Sequence, residues 1–398
     1  MLRESIIFQH APLYSTFFLW GLGTGAQQLA RPLFAYSFGV SIFFITLIES
    51  MNAIARLVSA PLTGYLTDRW GRKPLLLFGN GLRGVVTLGE FFVTSYEQFL
   101  VLEFIAGIGV SVWVTSSSVL LADVTNRENR GRLVAARQLS SRLGTVGGPV
   151  LGGLLAASFG LRWIFIFNAA TKLIIMVITL LVVKESKPEV KPDPTSKGKL
   201  HSFDLAFFRK KTFLSLAFAT FAISMMVVGV FQAIFPVYVK EEVGLGPSAI
   251  GGLISIGGLA TLLISYPNGV LSDRFGRKAA LIPGLVLLST AAFLLAATGG
   301  YGGAMAVVIV FGMGTGMSMG ASQTIAMDMA PEDRRGTFLG IWSVFTNLGG
   351  FIAPFAVGLV ATAWGFSPAF GLVGTIILIA AISVWALSRE TKAGAASE

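Results

Sequence analysis

The chain has 398 residues, of which 54% are hydrophobic and 13% charged, with a net charge of +10 and no cysteine. That balance is too apolar for a soluble two-domain protein, and it excludes disulfides and thiolate metal sites. The two histidines, His10 and His201, lie outside the apolar runs, so no histidine metal cluster is expected in a membrane.

Twelve apolar runs can be drawn, each long enough to cross a hydrocarbon core of ~30 Å. In the first half they are 11–36, 41–66, 74–95, 98–121, 133–157 and 161–183; in the second, 212–239, 247–271, 279–299, 303–327, 337–363 and 366–388. Ten-residue alternating segments are absent, so the runs are read as helices rather than barrel strands.

Span 1 carries Gly21, Gly23 and Gly25, which allow close helix approach, then Gln27, Gln28 and Arg31. Arg31 is expected to snorkel to the outer surface. Span 2 carries Glu49 and Arg56 on one helical face. A basic turn follows, running from Gly64 through Asp68, Arg69, Gly71, Arg72 and Lys73. Span 3 holds Arg83 and Glu90, and span 4 holds Glu103, Gly107 and Gly109, with Asp123 below it. Span 5 holds Arg137 and Arg142 and then a run with Gly144, Gly148, Pro149, Gly152 and Gly153; span 6 holds Lys172.

Residues 1–186 are read as one six-helix bundle, 187–211 as a polar cytoplasmic tether with a short amphipathic helix near Phe203–Phe208, and 212–398 as a second bundle. The second bundle repeats the first. Its turn, Gly269 through Asp273, Arg274, Gly276, Arg277 and Lys278, lies 205 residues after the first, and Asp328, Gly349 and Pro354 keep the same offset from Asp123, Gly144 and Pro149. Its spans contain no charged residue before Asp328. They offer instead an apolar wall of Phe221, Met225, Phe231, Phe235, Met313, Met317 and Trp342, with Gln323 and Asn347 as its polar members.

With the N-terminus inside, 22 Lys and Arg fall in cytoplasmic segments and two, Arg162 and Lys240, outside. The basic excess is therefore topology rather than a nucleic-acid patch, and both termini are expected in the cytoplasm of a cell-membrane protein.

Two six-span halves, a long central loop and a Gly-x-x-x-Asp-Arg-x-Gly-Arg-Lys turn after spans 2 and 8 resemble the major facilitator superfamily over essentially the whole chain. The resemblance implies an all-α fold of 12 transmembrane helices in two pseudo-symmetric bundles. It implies that the turn latches the halves in the outward-facing state, with Asp123 below span 4 joining the relay, Asp68 at a helix N-terminus or paired with Arg72, and Gly64 against a helix of the other half. Asp273 is expected to matter less than Asp68, because the second half lacks the charged relay. The span 5 run matches the family's antiporter motif, which tracks with export. Glu103 stands where proton-coupled members usually carry an arginine, Ala106 stands at the nearby glutamine position, and span 1 lacks the acid found in many multidrug members.

Nine ionisable residues lie in first-half spans, and their counterparts at the repeat offset are all neutral, so the fold itself does not require charge there. Arg83, Glu90 and Lys172 are read as bundle-interior charges. Glu49, Arg56, Glu103, Arg137, Arg142 and Arg31 are read as cavity and coupling charges, with Glu49 and Glu103 as the proton switch, Arg31, Arg137 or Arg142 as a partner that approaches in one state, and Arg56 and Arg142 as the modulators. The reading is a monomeric secondary transporter, not an enzyme, without cofactor or metal and driven by a proton or ion gradient. It exports amphipathic or hydrophobic small molecules such as drugs. The alternative cargo is an organic anion or anionic lipid, and the remaining alternative is a transporter-like receptor without flux.

Overall fold

The computed structural model describes residues 11–123, 130–183, 185, 211–297, 299–329 and 335–388; within them nothing is assigned to the side chain of Asp68. The tether at 187–210 and the expected helix near Phe203–Phe208 lie outside the described residues.

The first half consists of α1 (Ala11–Tyr36), α2 (Ile42–Trp70), α3 (Arg72–Phe92), α4 (Tyr96–Asp123), α5 (Arg130–Phe159) and α6 (Trp163–Val182). In the second half, α7 is built of three pieces: α-helical Lys211–Ser224, π-helical Met225–Gln232 and α-helical Phe235–Glu241. Then come α8 (Pro247–Phe275), α9 (Arg277–Ala297), α10 (Gly300–Met329), α11 (Arg335–Trp364) and α12 (Phe366–Leu387). The fold is that of a polytopic all-α membrane protein. Among the described residues ten helices are long and apolar enough to cross a membrane by length and composition. Helices α1 and α5 fall outside that group; they have the length, with 26 and 30 residues, but α1 carries two glutamines and an arginine and α5 several arginines.

The repeat is visible in the element boundaries. Helices α2, α3 and α5 begin and end 205 residues before α8, α9 and α11. The ten-residue turn inferred from the sequence is much shorter. Helix α2 runs on to Trp70, and Gly71 alone breaks it, at φ 98° and ψ 172°. Gly276 does the same in the second half at φ 99° and ψ 167°. Nothing in 64–70 opposes a helix, whereas a positive φ is costly for any residue with a Cβ.

Within the first half α1 packs on α5 and α6, α2 on α4, and α3 on α4 and α6; the second half repeats this with α7 against α11 and α12, α8 on α10, and α9 on α10 and α12. Between the halves the main crossings are α2 with α11 and α5 with α8. Both crossings lie at the end away from the basic turns. There Phe43 N donates to Thr362 Oγ1 at 2.8 Å, Ser50 Oγ donates to the carbonyl of Phe351 at 2.8 Å, and Ser248 Oγ donates to the carbonyl of Gly153 at 3.2 Å. At the turn end the facing helices stand apart. Tyr266 is 81% exposed and Leu62 60%, and a Cβ added at Gly64 or Gly269 would meet nothing within 4 Å. Among the described residues the halves are therefore joined at the far end and stand apart at the turn end. Gly64 is not packed against the other half in this state, contrary to the expectation from the resemblance.

Candidate functional site: a buried charge network beside a cavity between the halves

The charged side chains of α1 to α4 converge. Arg31 Nε pairs with Glu103 Oε1 at 2.7 Å and Arg31 Nη1 with Glu49 Oε1 at 3.3 Å. The expected snorkelling of Arg31 is thus wrong. Its guanidinium points into the bundle, where two carboxylates offset the cost of burying it. Asn52 Nδ2 donates to Glu103 Oε2 at 3.0 Å and to the Glu103 carbonyl at 3.1 Å.

Gln27 joins this core to α3. Its Oε1 accepts from Arg31 Nη2 at 3.4 Å and from Arg83 Nη2, and its Nε2 donates to Glu90 Oε2 at 3.0 Å. Arg83 Nη1 also lies 3.9 Å from Glu103 Oε2. Arg83 and Glu90 therefore belong to the same network as Glu49 and Glu103, rather than to a separate structural pair. Sequence reasoning assigned Gln27 no role of its own; a neutral amide gives no charge signal, yet it can accept from one arginine while donating to an acid.

The remaining charges stand apart. Arg56 Nε is buried without a hydrogen-bond partner among the described residues. Arg137 Nη2 donates to Ser118 Oγ at 3.3 Å, and its guanidinium lies 4.8 Å from the Phe17 ring. Lys172 Nζ sits 4.0 Å over the Trp20 ring, which stacks on Trp113 at 3.8 Å. Arg56, Arg137 and Arg142 make no ion pair with an acid among the described residues, so the partner of Glu49 and Glu103 is Arg31.

Two cavities border the open side. One, of about 190 Å³, lies between the halves and is lined by Gln28, Arg142 and Thr145 from the first half and by Phe231, Gln232, Thr261, Phe311 and Thr315 from the second. The other, of about 420 Å³, lies within the second half and is lined by α7, α10 and α11, including Met319, Gln323, Met327, Trp342 and Asn347. Of the expected wall, Phe231, Gln323, Trp342 and Asn347 reach these cavities. Phe221, Met225, Phe235, Met313 and Met317 line neither: Met225 and Phe235 are buried in the core of the second half, and Met317 packs against Gly284 of α9. Met319 and Met327 take that role instead. An apolar helix in a membrane has no polar face to mark its outside, so the inward residues carry no periodic signal.

In the span 5 motif, a Cβ on Gly144, Gly148 or Gly152 would strike the backbone of α1, at Phe18 and Leu22, at Leu22 and Ala26, and at Ala26. Of the motif's glycines Gly153 alone meets the other half among the described residues, at Pro247 O (2.7 Å) and Ser248 Cα (3.0 Å). Pro149 is the contact for Gly251 of α8.

The turns bind within their own halves. Arg72 Nε donates to Asp123 Oδ2 at 2.8 Å and Lys73 Nζ to the Leu180 carbonyl at 2.9 Å; Arg277 Nε donates to Asp328 Oδ2 at 2.9 Å and Lys278 Nζ to the Trp385 carbonyl at 2.9 Å. Arg277 Nη1 also pairs with Asp273 at 2.7 Å. Glu185 caps α3 by accepting from the backbone N–H of Arg72 at 2.8 Å and Lys73 at 3.2 Å. Arg69 bonds the Tyr65 hydroxyl at 3.2 Å, and Arg274 closes α8 from its last turn. The second half therefore has a charged relay of its own, which overturns the expectation that it lacks one.

A sequence model of the Major Facilitator Superfamily matches residues 13–238 and again 217–398. Multidrug resistance protein MdtG of Escherichia fergusonii is 28% identical over 389 residues, covering 94% of this chain and 93% of that protein. The multi-drug resistance efflux pump PmrA of Streptococcus pneumoniae is 25% identical over 360 residues, covering 89% and 85%. An uncharacterized MFS-type transporter of Methanocaldococcus jannaschii is 24% identical over 374 residues, covering 92% and 96%. Among solved structures, a nucleoside transporter, NupG, superposes with a TM-score of 0.80 at 14% identity, covering 96% of this chain and 100% of that one. A D-xylose-proton symporter superposes at 0.78 and 19%, covering 98% and 99%. These structures share the fold.

Proposed function

The chain belongs to the Major Facilitator Superfamily, and we propose that within it this protein is a proton-coupled exporter of amphipathic small molecules, drugs included, working by alternating access. The observation that carries the reading is Arg31 held between Glu49 and Glu103 inside the bundle. Such a triad is costly to bury and unnecessary for the fold, since the second half does without it.

Its position suits coupling. Glu49 is followed by Ser50, whose hydroxyl bonds α11 of the other half, so a rocking of the halves shifts the surroundings of Glu49. Glu103 and Glu90 are fully buried, whereas Glu49 retains slight exposure, at 6%. Glu49 is thus the gate through which a proton enters the network, and Glu103 holds Arg31 while Glu49 is neutral. Efflux as the direction of transport draws on the α5 motif and on the names of the relatives. The basic turns face the cytoplasm by the charge asymmetry of the chain, so the cavities open inward, the state in which an exporter loads its cargo.

The test is ligand-driven proton release from the purified protein in detergent, comparing wild type with Glu49→Gln and Glu103→Gln. Release that falls in both variants supports the switch; undiminished release in both leaves the network as architecture. The anionic-cargo reading is favoured by one observation, the free arginine in the cavity between the halves.

A further inference from the structure

We propose that the cavity between the halves binds the anionic head of the substrate, a carboxylate, phosphonate or sulfonate, with the Arg142 guanidinium as its anchor. The inference rests on the transport reading and narrows its substrate class.

Arg31, Arg72, Arg83, Arg137 and Arg277 each bond an oxygen of the protein. Arg142 lines the cavity and has no ion pair or hydrogen bond with any described residue. A guanidinium at membrane depth without a partner is expensive. Its planar fork of donors fits two oxygens of one anionic group better than it fits water or an aromatic face.

The rest of the lining fits the same occupant. Among the described residues no Asp or Glu lines the cavity. The three acids deep in the first-half spans are engaged elsewhere, Glu49 and Glu103 by Arg31 and Glu90 by Gln27. A cationic head would therefore meet a like charge and no counter-charge. Gln28 and Gln232 come from opposite halves with amides unbonded to any described residue, and the hydroxyl of Thr315 is buried without a partner. These groups offer further donors around the guanidinium. The Thr261 hydroxyl is already spent on the carbonyls of Gly257 and Gly312.

One wall is aromatic. Phe231 stacks on Phe311 with ring centroids 3.8 Å apart, and Phe235 stacks behind it at 4.9 Å. Phe231 is held there by the π-helical piece of α7. At about 190 Å³ the cavity takes a head group and one or two rings rather than a whole drug. The aromatic stack and the guanidinium come from opposite halves, so a bound anion with a flat apolar body touches both.

The experiment uses two probes with the same body and opposite charge: naphthalene-2-sulfonate and trimethyl(2-naphthyl)ammonium. Binding to the full chain in lipid nanodiscs is measured by calorimetry. The sulfonate is expected to bind at least about tenfold more tightly than the ammonium, and Arg142→Gln is expected to abolish that preference. Arg142→Lys keeps the charge and loses the fork, so it retains a preference but a smaller one; this variant carries the test should the Gln variant not fold. Equal affinities in the wild type, or a preference that survives Arg142→Gln, overturns the proposal. Flux of both probes into liposomes separates it from the transport reading. Selective binding without flux of either probe keeps the site and rejects the transporter. Flux of both without preference keeps the transporter and rejects the site.

Discussion

Gly153→Ala perturbs one conformational state and spares the other. In the present state Gly153 lies at the far-end crossing of α5 and α8, where a Cβ would stand 2.7 Å from Pro247 O and 3.0 Å from Ser248 Cα. Both neighbours are backbone atoms, so no side chain can swing away. An ordinary contact starts near 3.4 Å, so the helices must part there by about 0.7 Å in a close-packed crossing. Overpacking of this kind costs about 1–3 kcal/mol. In the opposite state the far end opens, the crossing separates and the methyl costs nothing. The population ratio should therefore shift by about 5- to 150-fold toward closure of the turn end. The chain has no cysteine, so spin labels attach only where cysteines are introduced. Leu62→Cys and Tyr266→Cys place them on the exposed turn-end faces of α2 and α8. Pulsed EPR distances in nanodiscs should move toward shorter values in Gly153→Ala. Gly148→Ala is the control: its clash, with Leu22 O, Ala26 N and Gly25 Cα, lies between α1 and α5 within one half, so it should lower Tm and leave the distance distribution in place. An unchanged distribution in Gly153→Ala, with Tm lowered as in Gly148→Ala, would refute the reasoning.

Arg31→Ala removes the cation from two buried carboxylates and should cost about 3–5 kcal/mol of stability, read as a fall in Tm, with Arg31→Lys losing less; a variant as stable as wild type would show that the acids need no partner. Because Arg72–Asp123 and Arg277–Asp328 are equivalent at 2.8 and 2.9 Å, Asp123→Asn and Asp328→Asn should slow transport by similar factors in a vesicle assay. A loss confined to Asp123→Asn would restore the asymmetry that the sequence suggested.

Much of the fold was legible because membrane helices announce themselves by length and the repeat by its offset. Gly71 and Gly276 mark joints that only glycine fits easily, so the turns were placed correctly even though their extent was overestimated. The conformation was not legible: Gly64 read as a packing residue, and here a Cβ on it or on its repeat counterpart Gly269 would meet nothing within 4 Å, since a helix face used in one state is bare in the other. The charges were legible as charges, but their pairing was not. Arg31 meets Glu103 from 72 positions away through the packing of α1 beside α4, and no spacing rule reports that. Gln27 and the π-helical piece of α7 were missed altogether, the first because it is neutral and the second because nothing in Met225–Gln232 marks the insertion.

In the proposed mechanism a proton gradient drives transport through the Glu49–Arg31–Glu103 triad. The direct measurement is transport of an amphipathic drug in proteoliposomes, read in two modes from the same preparation: accumulation under an imposed pH gradient, and exchange of labelled for unlabelled drug without one. Wild type should do both. Glu103→Gln should keep exchange, since rocking and binding remain, and lose accumulation. Accumulation by Glu103→Gln at the wild-type rate, or wild-type accumulation indifferent to the gradient, would contradict the account.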